Sequence, residues 1–268
     1  MLFLIDYFHV GGIMKVAIVG YGKMGKLIRS QALGLGHEVV AVIDPVSESP
    51  EVTDTNLDAS TLNGCTVAID FTHPSVVVDN IVLYARLGIP AVIGTTGWYE
   101  KLESVREAID ESACSIIYSG NFSLGVALFF QVVKYASRLF GKSGLYDPFI
   151  QETHHAQKAD SPSGTAVMLS QMVLDNTPLK SSIYSDTLHR RREESEIHVS
   201  SARGGSVPGT HTVTFDSQDD TIELTHRARS REGFATGALK AASWITDGRK
   251  GFFTLDAMLE DVFLGENE

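Results

Sequence analysis

Hydrophobic positions along the chain change period partway through. Between residues 15 and 118, short runs rich in β-branched side chains alternate with longer stretches whose apolar positions recur every three or four residues. Each short run is closed by a glycine, a proline or a polar turn. This pattern predicts strands over 15–20, 38–43, 67–71, 90–93 and 115–118, with helices over 23–35, 75–87 and 99–111. Strands separated by helices form a parallel sheet with helices packed across it. A further helix is predicted over 124–140. Beyond it come strands divided by charged and Gly-rich turns, over 148–153, 197–202, 210–215 and 221–227, which imply a second, mixed sheet. An alanine-rich helix over 233–245 and the apolar stretch 252–263 are expected to return to the first sheet.

Composition narrows the class. The 268 residues are 43% hydrophobic and 21% charged, an ordinary globular balance that excludes a disordered chain and a small disulfide scaffold. The net charge of −11 opposes nonspecific adhesion to nucleic acid or an anionic membrane, so neither is an expected partner and any anionic ligand needs a local site. Cys65 and Cys114 lack the paired spacing of a metal or redox motif and read as buried thiols; no metal site is expected. The apolar first ten residues carry Asp6 and no leading basic residue, which suits neither a signal peptide nor a membrane span. A cytoplasmic protein is expected, with 1–13 either an extension ahead of Met14 outside the fold or the product of an upstream start codon. The run Arg190-Arg191-Arg192 is followed by Glu193, Glu194 and Glu196 and reads as a solvated loop.

Two segments carry chemistry. The first strand runs into Gly20-Tyr21-Gly22-Lys23-Met24-Gly25, a G-x-G-x-x-G that opens a helix, and Asp44 closes the next strand. Gly20 permits the tight turn, Gly22 lets backbone N–H groups approach a pyrophosphate, and Gly25 allows close helix packing over the positive end of the helix dipole. Asp44 can accept the ribose hydroxyls and would repel a ribose phosphate, and Pro45 rather than a base follows it. The cofactor therefore leans toward NADH, while Lys23 keeps NADPH open. Gly94-Thr95-Thr96-Gly97 and Gly120-Asn121-Phe122-Ser123 fall at further strand ends and are candidate nicotinamide contacts. These features define an α/β chain. Residues 14–121 and 235–268 are expected to form a Rossmann-like parallel-sheet dinucleotide-binding domain, and 122–234 a second, mixed-sheet α+β domain.

The second segment is Glu152-Thr153-His154-His155-Ala156-Gln157-Lys158-Ala159-Asp160-Ser161-Pro162-Ser163-Gly164-Thr165-Ala166. A strand ends and a helix begins within it. Ser161 is the expected N-cap and Pro162 the first helical residue, so the N–H groups and hydroxyls of Ser163, Gly164 and Thr165 would face outward as an anion cradle. Two imidazoles and an ammonium beside it can neutralise carboxylates and pass protons. The expected substrate is a small anion.

This run closely resembles the E-x-H-H-x-x-K-x-D-x-P-S-G-T-A signature of the 4-hydroxy-tetrahydrodipicolinate (dihydrodipicolinate) reductase family. The resemblance extends through Asp70-Phe71-Thr72, Arg203-Gly204-Gly205, Pro208-Gly209-Thr210-His211 and 226–242. It implies an NAD(P)H-dependent oxidoreductase of diaminopimelate and lysine biosynthesis, reducing 4-hydroxy-tetrahydrodipicolinate, an anionic dicarboxylate, with loss of water. By the same analogy His154 has the acid/base role and Lys158 the proton-donor role, with the actual donor left open between them. His155, Ser163, Gly164 and Thr165 would bind substrate. The residues Gly20 to Gly25, Asp44, Gly94, Thr95, Thr96, Ser119, Gly120, Asn121 and Phe122 would hold the cofactor. A homotetramer is the family habit, which implies that 122–234 is the domain for substrate binding and oligomerisation. Pro45 and Lys23 stand where many members have arginine, which puts an NADPH preference in doubt. The alternatives are another two-domain dehydrogenase or a non-catalytic dinucleotide-binding regulator.

Overall fold

The structure is a computed structural model that describes residues 12–112 and 114–264. The first ten residues, read above as neither signal nor span, therefore lie outside the described residues. The chain divides into two compact units, Met1–Leu124 with Glu232–Glu268, and Gly125–Arg231.

The first unit is built on six strands: β1 (Lys15–Val19), β2 (Glu38–Ile43), β3 (Val67–Asp70), β4 (Ala91–Ile93), β5 (Ser115–Tyr118) and β11 (Gly251–Thr254). They lie in the order β11-β5-β4-β3-β1-β2, and every pairing is parallel. Helices α1 (Lys23–Gly34), α2 (Val77–Leu87), α3 (Leu102–Asp110) and α6 (Glu232–Ile245) belong to this unit. Its core joins Ala17, Val19, Ala68 and Ile93 of the strands to Val77, Ile81, Val105 and Ile109 of the helices. The chain leaves β1 toward β2 on one side and places β3 on the other. That reversal opens a crevice at the carboxyl ends of β1 and β3, the usual ligand position in such sheets.

The second unit carries five strands in the order β10-β9-β6-β8-β7: β6 (Asp147–His154), β7 (Ser182–Tyr184), β8 (Glu196–Arg203), β9 (Thr210–Asp216) and β10 (Thr221–Arg227). β6 pairs parallel with β8 and antiparallel with β9, so the sheet is mixed. Helices α4 (Leu124–Ser143) and α5 (Gly164–Asn176) contribute to its core, where Phe130, Val133, Leu169 and Val173 meet Ile150, Ile197, Val213 and Phe215. The expected α/β class with two sheets is thus borne out. Among the described residues no helix is long and apolar enough to cross a membrane.

Local expectations needed correction. The helix expected over 75–87 begins at Val77, because the N–H groups of Val76 and Val77 first close a turn on the His73 carbonyl. The stretch 99–111 splits into a single tight turn, Tyr99–Lys101, and α3. The last apolar stretch is several elements: β11 extends the sheet beside β5, and α7 (Leu255–Leu259) is capped by the Thr254 hydroxyl. Its apolarity reflects a half-buried edge strand followed by the buried face of α7 rather than one helix. Arg190 and Arg192 are not merely solvated, since Arg190 grips Glu196 through both guanidinium nitrogens and Arg192 pairs with Asp147.

Glycine decides one contact between α6 and the chain ahead of α4. A Cβ at Gly237 would fall 1.7 Å from the Phe122 carbonyl oxygen, a backbone atom that cannot swing aside. Gly237→Ala is therefore expected to cost about 1–3 kcal/mol through overpacking, read as a lowered thermal unfolding midpoint. Gly34→Ala, at the end of α1 where nothing lies within 4 Å of the added Cβ, should be neutral or stabilising. Equal midpoints for both variants would contradict this packing.

Candidate active site

The glycine loop divides its work among three positions. Gly20 has φ +88°, and a Cβ there would meet the Phe71 carbonyl oxygen at 2.5 Å; one at Gly25 would meet the Gly20 carbonyl oxygen at 2.1 Å. Both positions demand the missing side chain for packing. Gly22 has open space where its Cβ would sit and is the N-cap of α1 without any side-chain cap. First-turn N–H groups of a helix lack intrahelical partners, so this end offers donors and a positive dipole to a phosphate. The loop thus fits a dinucleotide by a cradle that a side chain would fill. Lys23 is exposed and Met24 half-buried, whereas the Tyr21 side chain is buried.

Asp44 faces the loop from the end of β2. Its carboxylate accepts N–H donations from Tyr21 at 2.6 Å, Val46 at 2.9 Å and Ser47 at 2.8 Å. Burial raises its pKa, but the three donors outweigh it and hold the group below the usual carboxylate range. The remaining strand ends lie along the same edge of the sheet. Gly94 sits against the Phe71 ring, Thr95 is buried and receives the Trp98 indole N–H on its carbonyl at 2.8 Å, and Thr96 is exposed. Ser119 and Asn121 form a turn in which the Ser119 hydroxyl accepts the Asn121 N–H, and Asn121 Oδ1 accepts the Ser123 N–H. Gly120 is exposed at its tip. Phe122, expected at the cofactor, is 1% exposed, so its ring packs inside the unit.

Asp70 was not singled out for a role from sequence. It is fully buried at the end of β3 and accepts donors from Thr72, Asn80 and Tyr84. Burial pushes its carboxyl above the usual range despite those donors. The acid ties β3 to α2 beneath the crevice.

In the second unit, alternation along β6 turns Glu152 and His154 toward the helix-covered face, and both are buried. Glu152 collects the donors around it. Its Oε1 accepts the Ser163 N–H at 2.9 Å, the Ser201 hydroxyl at 2.8 Å and Arg203 Nη2 at 2.9 Å, while its Oε2 accepts the Ser163 hydroxyl. Oε2 also lies 3.3 Å from His154 Nδ1 and 3.4 Å from His211 Nε2. Burial works against the charge, but His211, Ser163 and Arg203 hold the carboxyl well below its ordinary range. His154 is pushed down to about 4, first by burial and then by His211, Lys158 and Arg203, against the opposing pull of Glu152. It is neutral at neutral pH.

The helix start differs from expectation. Ser163, not Ser161, is the N-cap of α5, its hydroxyl accepting the Ala166 N–H at 3.2 Å, and Pro162 precedes the helix. Ser163 is 2% exposed and commits its N–H and hydroxyl to Glu152, so neither points outward to an anion. Gly164 and Thr165 do lie at the open end of the helix, and nothing occupies the space where a Gly164 Cβ would sit. Lys158 Nζ pairs with Asp160 Oδ1 at 2.8 Å, and the Lys158 N–H closes a turn on the His155 carbonyl. His155 is half-buried. Arg203 further donates to the Asp160 carbonyl, so the loop is tied to the end of β8.

Sequence reasoning brought His154, His155, Lys158, Gly164 and Thr165 to one strand end but gave no role to Glu152, Ser201, Arg203 or His211. The resemblance already touched Glu152, Arg203 and His211, and the polar residues at inward strand positions were a signal for the cluster. Glu152, His154 and His211 offer ligand atoms within 4.8 Å of one another. The carboxylate, however, already takes four donors, about the number its lone pairs accept, which describes a hydrogen-bonded cluster more fully than a vacant metal site.

A parallel sheet with an open glycine loop and an acid closing its second strand, joined to a mixed-sheet unit holding a buried carboxylate–imidazole cluster, defines a two-domain NAD(P)H-dependent oxidoreductase. Residues 14–122 match the family model described as dihydrodipicolinate reductase, N-terminus, and 125–259 match that for the C-terminus. The chain belongs to the dihydrodipicolinate reductase family. It is 39% identical over 251 residues to the 4-hydroxy-tetrahydrodipicolinate reductase of Christiangramia forsetii, covering 93% of this chain and 99% of that protein. It is 37% identical over 269 residues to the enzyme of the same name from Archaeoglobus fulgidus, covering 92% and 100%. The fold matches a dipicolinate-bound dihydrodipicolinate reductase from Paenisporosarcina sp. with a TM-score of 0.75 at 24% identity, covering 92% of this chain and 100% of that one.

The buried cluster makes folding depend on pH. His154 binds its proton in the unfolded chain near its ordinary value of 6.5 but in the fold only near about 4, so stability is lost as pH falls between these values. Glu152 has a depressed folded pKa, so its contribution is complete above about 4.3, the ordinary glutamate value, and is lost at lower pH. The thermal unfolding midpoint should therefore fall from pH 6.5 downward, and His154→Asn should flatten the decline above pH 4. An unchanged slope in that variant would contradict the assignment.

Proposed function

We propose that the site reduces 4-hydroxy-2,3,4,5-tetrahydrodipicolinate to 2,3,4,5-tetrahydrodipicolinate, taking up one hydride and one proton and releasing one water. The observation that carries this reading is the open N-terminus of α5 standing beside an ion-paired ammonium and a buried neutral imidazole. Gly164 and Thr165 N–H groups would hold one carboxylate of the substrate, with His155 at the ring or the second carboxylate. Lys158, ion-paired with Asp160, would donate the proton. His154 is neutral at working pH and so can relay a proton but not supply the first one. The positive groups near the cradle would offset negative charge that builds on the ring as the hydride arrives.

The reduced nicotinamide supplies that hydride, and the glycine loop, Asp44 and the edge formed by Gly94, Thr95, Thr96, Ser119, Gly120 and Asn121 would hold it. We favour NADH. The ionised Asp44 would repel a ribose phosphate, and two cations further along α1 are already opposed: Lys26 and Arg29 share a cleft of about 500 Å³ with Tyr21, Ser49 and Glu51. Glu51 is held below its usual range by the Ser49 hydroxyl and then by the charges of Arg29 and Lys26. NADPH remains the second reading because Lys23 is exposed beside the loop. The reading further includes a cytoplasmic homotetramer joined through the mixed sheet.

The test is consumption of reduced nicotinamide, NADH and NADPH in parallel, with substrate generated from pyruvate and aspartate semialdehyde by the preceding synthase. Faster turnover at subsaturating NADH is expected. Lys158→Ala should lower kcat by about 100-fold or more with NADH affinity unchanged, whereas Asp44→Ala should weaken NADH and leave kcat nearly intact. Binding of cofactor without turnover by the unaltered protein would overturn the reading in favour of a regulator, and equal losses in both parameters for both variants would overturn the division of roles.

A further inference from the structure

One buried side chain lies against both the His154 imidazole and the start of α5. Glu152 Oε1 receives the Ser163 N–H and its Oε2 receives the Ser163 hydroxyl, so the residue that caps α5 is fixed by this carboxylate. The same Oε2 stands 3.3 Å from His154 Nδ1. Nδ1 makes no aligned hydrogen bond, but the carboxylate charge 3.3 Å away favours the neutral ring with its proton on Nδ1 and its lone pair on Nε2. On the Nε2 side the neighbour is Gly209, where an added Cβ would come 3.0 Å from Nε2 and 3.3 Å from Cδ2.

We infer that Glu152 is a positioning residue which sets the His154 tautomer and the start of α5 together, while the missing side chain of Gly209 keeps His154 Nε2 open to the reacting molecule. The inference rests on the reductase reading for its kinetic arm only. The charged and titratable groups facing the pair are Lys158 from the loop after β6, Arg203 of β8, His211 of β9 and, beyond His211, His226 of β10. Arg203 reaches Glu152 from the Oε1 side, and His211 reaches it from the Oε2 side beside His154. A glutamine at 152 has one fixed way to sit. Its carbonyl must face the Ser163 N–H, Ser201 and Arg203 donors, which turns its amide N–H groups toward Ser163 Oγ and His154 Nδ1. Glu152→Gln should therefore drive the His154 proton to Nε2.

The experiment is nitrogen NMR of the histidine rings in the full chain, with His154 assigned by its loss in His154→Asn. Between pH 6 and 8 the unaltered protein should show Nδ1–H and a bare Nε2, and Glu152→Gln should show the reverse. The opposite tautomer in the unaltered protein would overturn the inference. In solution, Glu152→Gln should lose about tenfold or more in both kcat and affinity for pyridine-2,6-dicarboxylate, with NADH affinity held. A variant that merely melts earlier, with kcat and dicarboxylate affinity intact, would overturn it as well. If Glu152→Gln does not fold, Gly209→Ala decides: kcat should fall while dicarboxylate affinity persists, and unchanged kcat would contradict the inference. If the unaltered protein does not turn over the tetrahydropyridine, the reductase reading fails, while the tautomer and the dicarboxylate affinity still decide this one.

Discussion

A buried carboxylate with no exposed oxygen has to be surrounded by donors, and Glu152 satisfies that requirement with groups drawn from three separate segments of the second unit. Ser163 comes from the α5 cap, Ser201 and Arg203 from β8, and His211 from β9, while His154 Nδ1 stands 3.3 Å away on β6. An ionised carboxylate left without these partners would be strongly disfavoured in the interior. The desolvation of Glu152 thus fixes the mutual position of strand ends that carry the site. His154, held neutral by burial beside it, and the open turn at Gly164 and Thr165 follow from the same constraint.

The first unit repeats the device with different donors. Asp44 is held at the end of β2 by three backbone N–H groups, and Asp70 at the end of β3 by the side chains of Thr72, Asn80 and Tyr84. The two acids differ in consequence. Backbone donors outweigh burial at the half-buried Asp44 and hold its pKa below the usual range, while complete burial raises that of Asp70 despite its side-chain donors, which tie β3 to α2. Placement of polar groups at strand ends is what allows an apolar sheet to carry chemistry along one edge.

Much of this was legible in the chain. The alternation of β-branched runs with helical spacing gave the parallel sheet, and Gly20, Gly22 and Gly25 announced the loop because each occupies a place where a side chain would collide or obstruct. The resemblance of 152–166 to a family signature pointed to the chemistry. What stayed hidden depends on contacts between residues distant in sequence. Ser163 reads as an outward-facing donor until Glu152, eleven residues earlier, is seen to take both its N–H and its hydroxyl. At Phe122, in a strand-end turn, the sequence does not show that the ring turns inward beside Phe71. Arg203 and His211 show only as inward positions of strands whose neighbours the sequence does not name.

In the proposed reaction this chain delivers a hydride from the nicotinamide to the ring of a small dicarboxylate. The most direct measurement supplies reduced cofactor bearing deuterium at both hydrogens on carbon 4 of the nicotinamide and follows the mass of the ring product. The expected product gains one deuterium on carbon and loses one water relative to the substrate. A product that loses water without taking up deuterium would contradict it, because the protein would then dehydrate its substrate without reducing it.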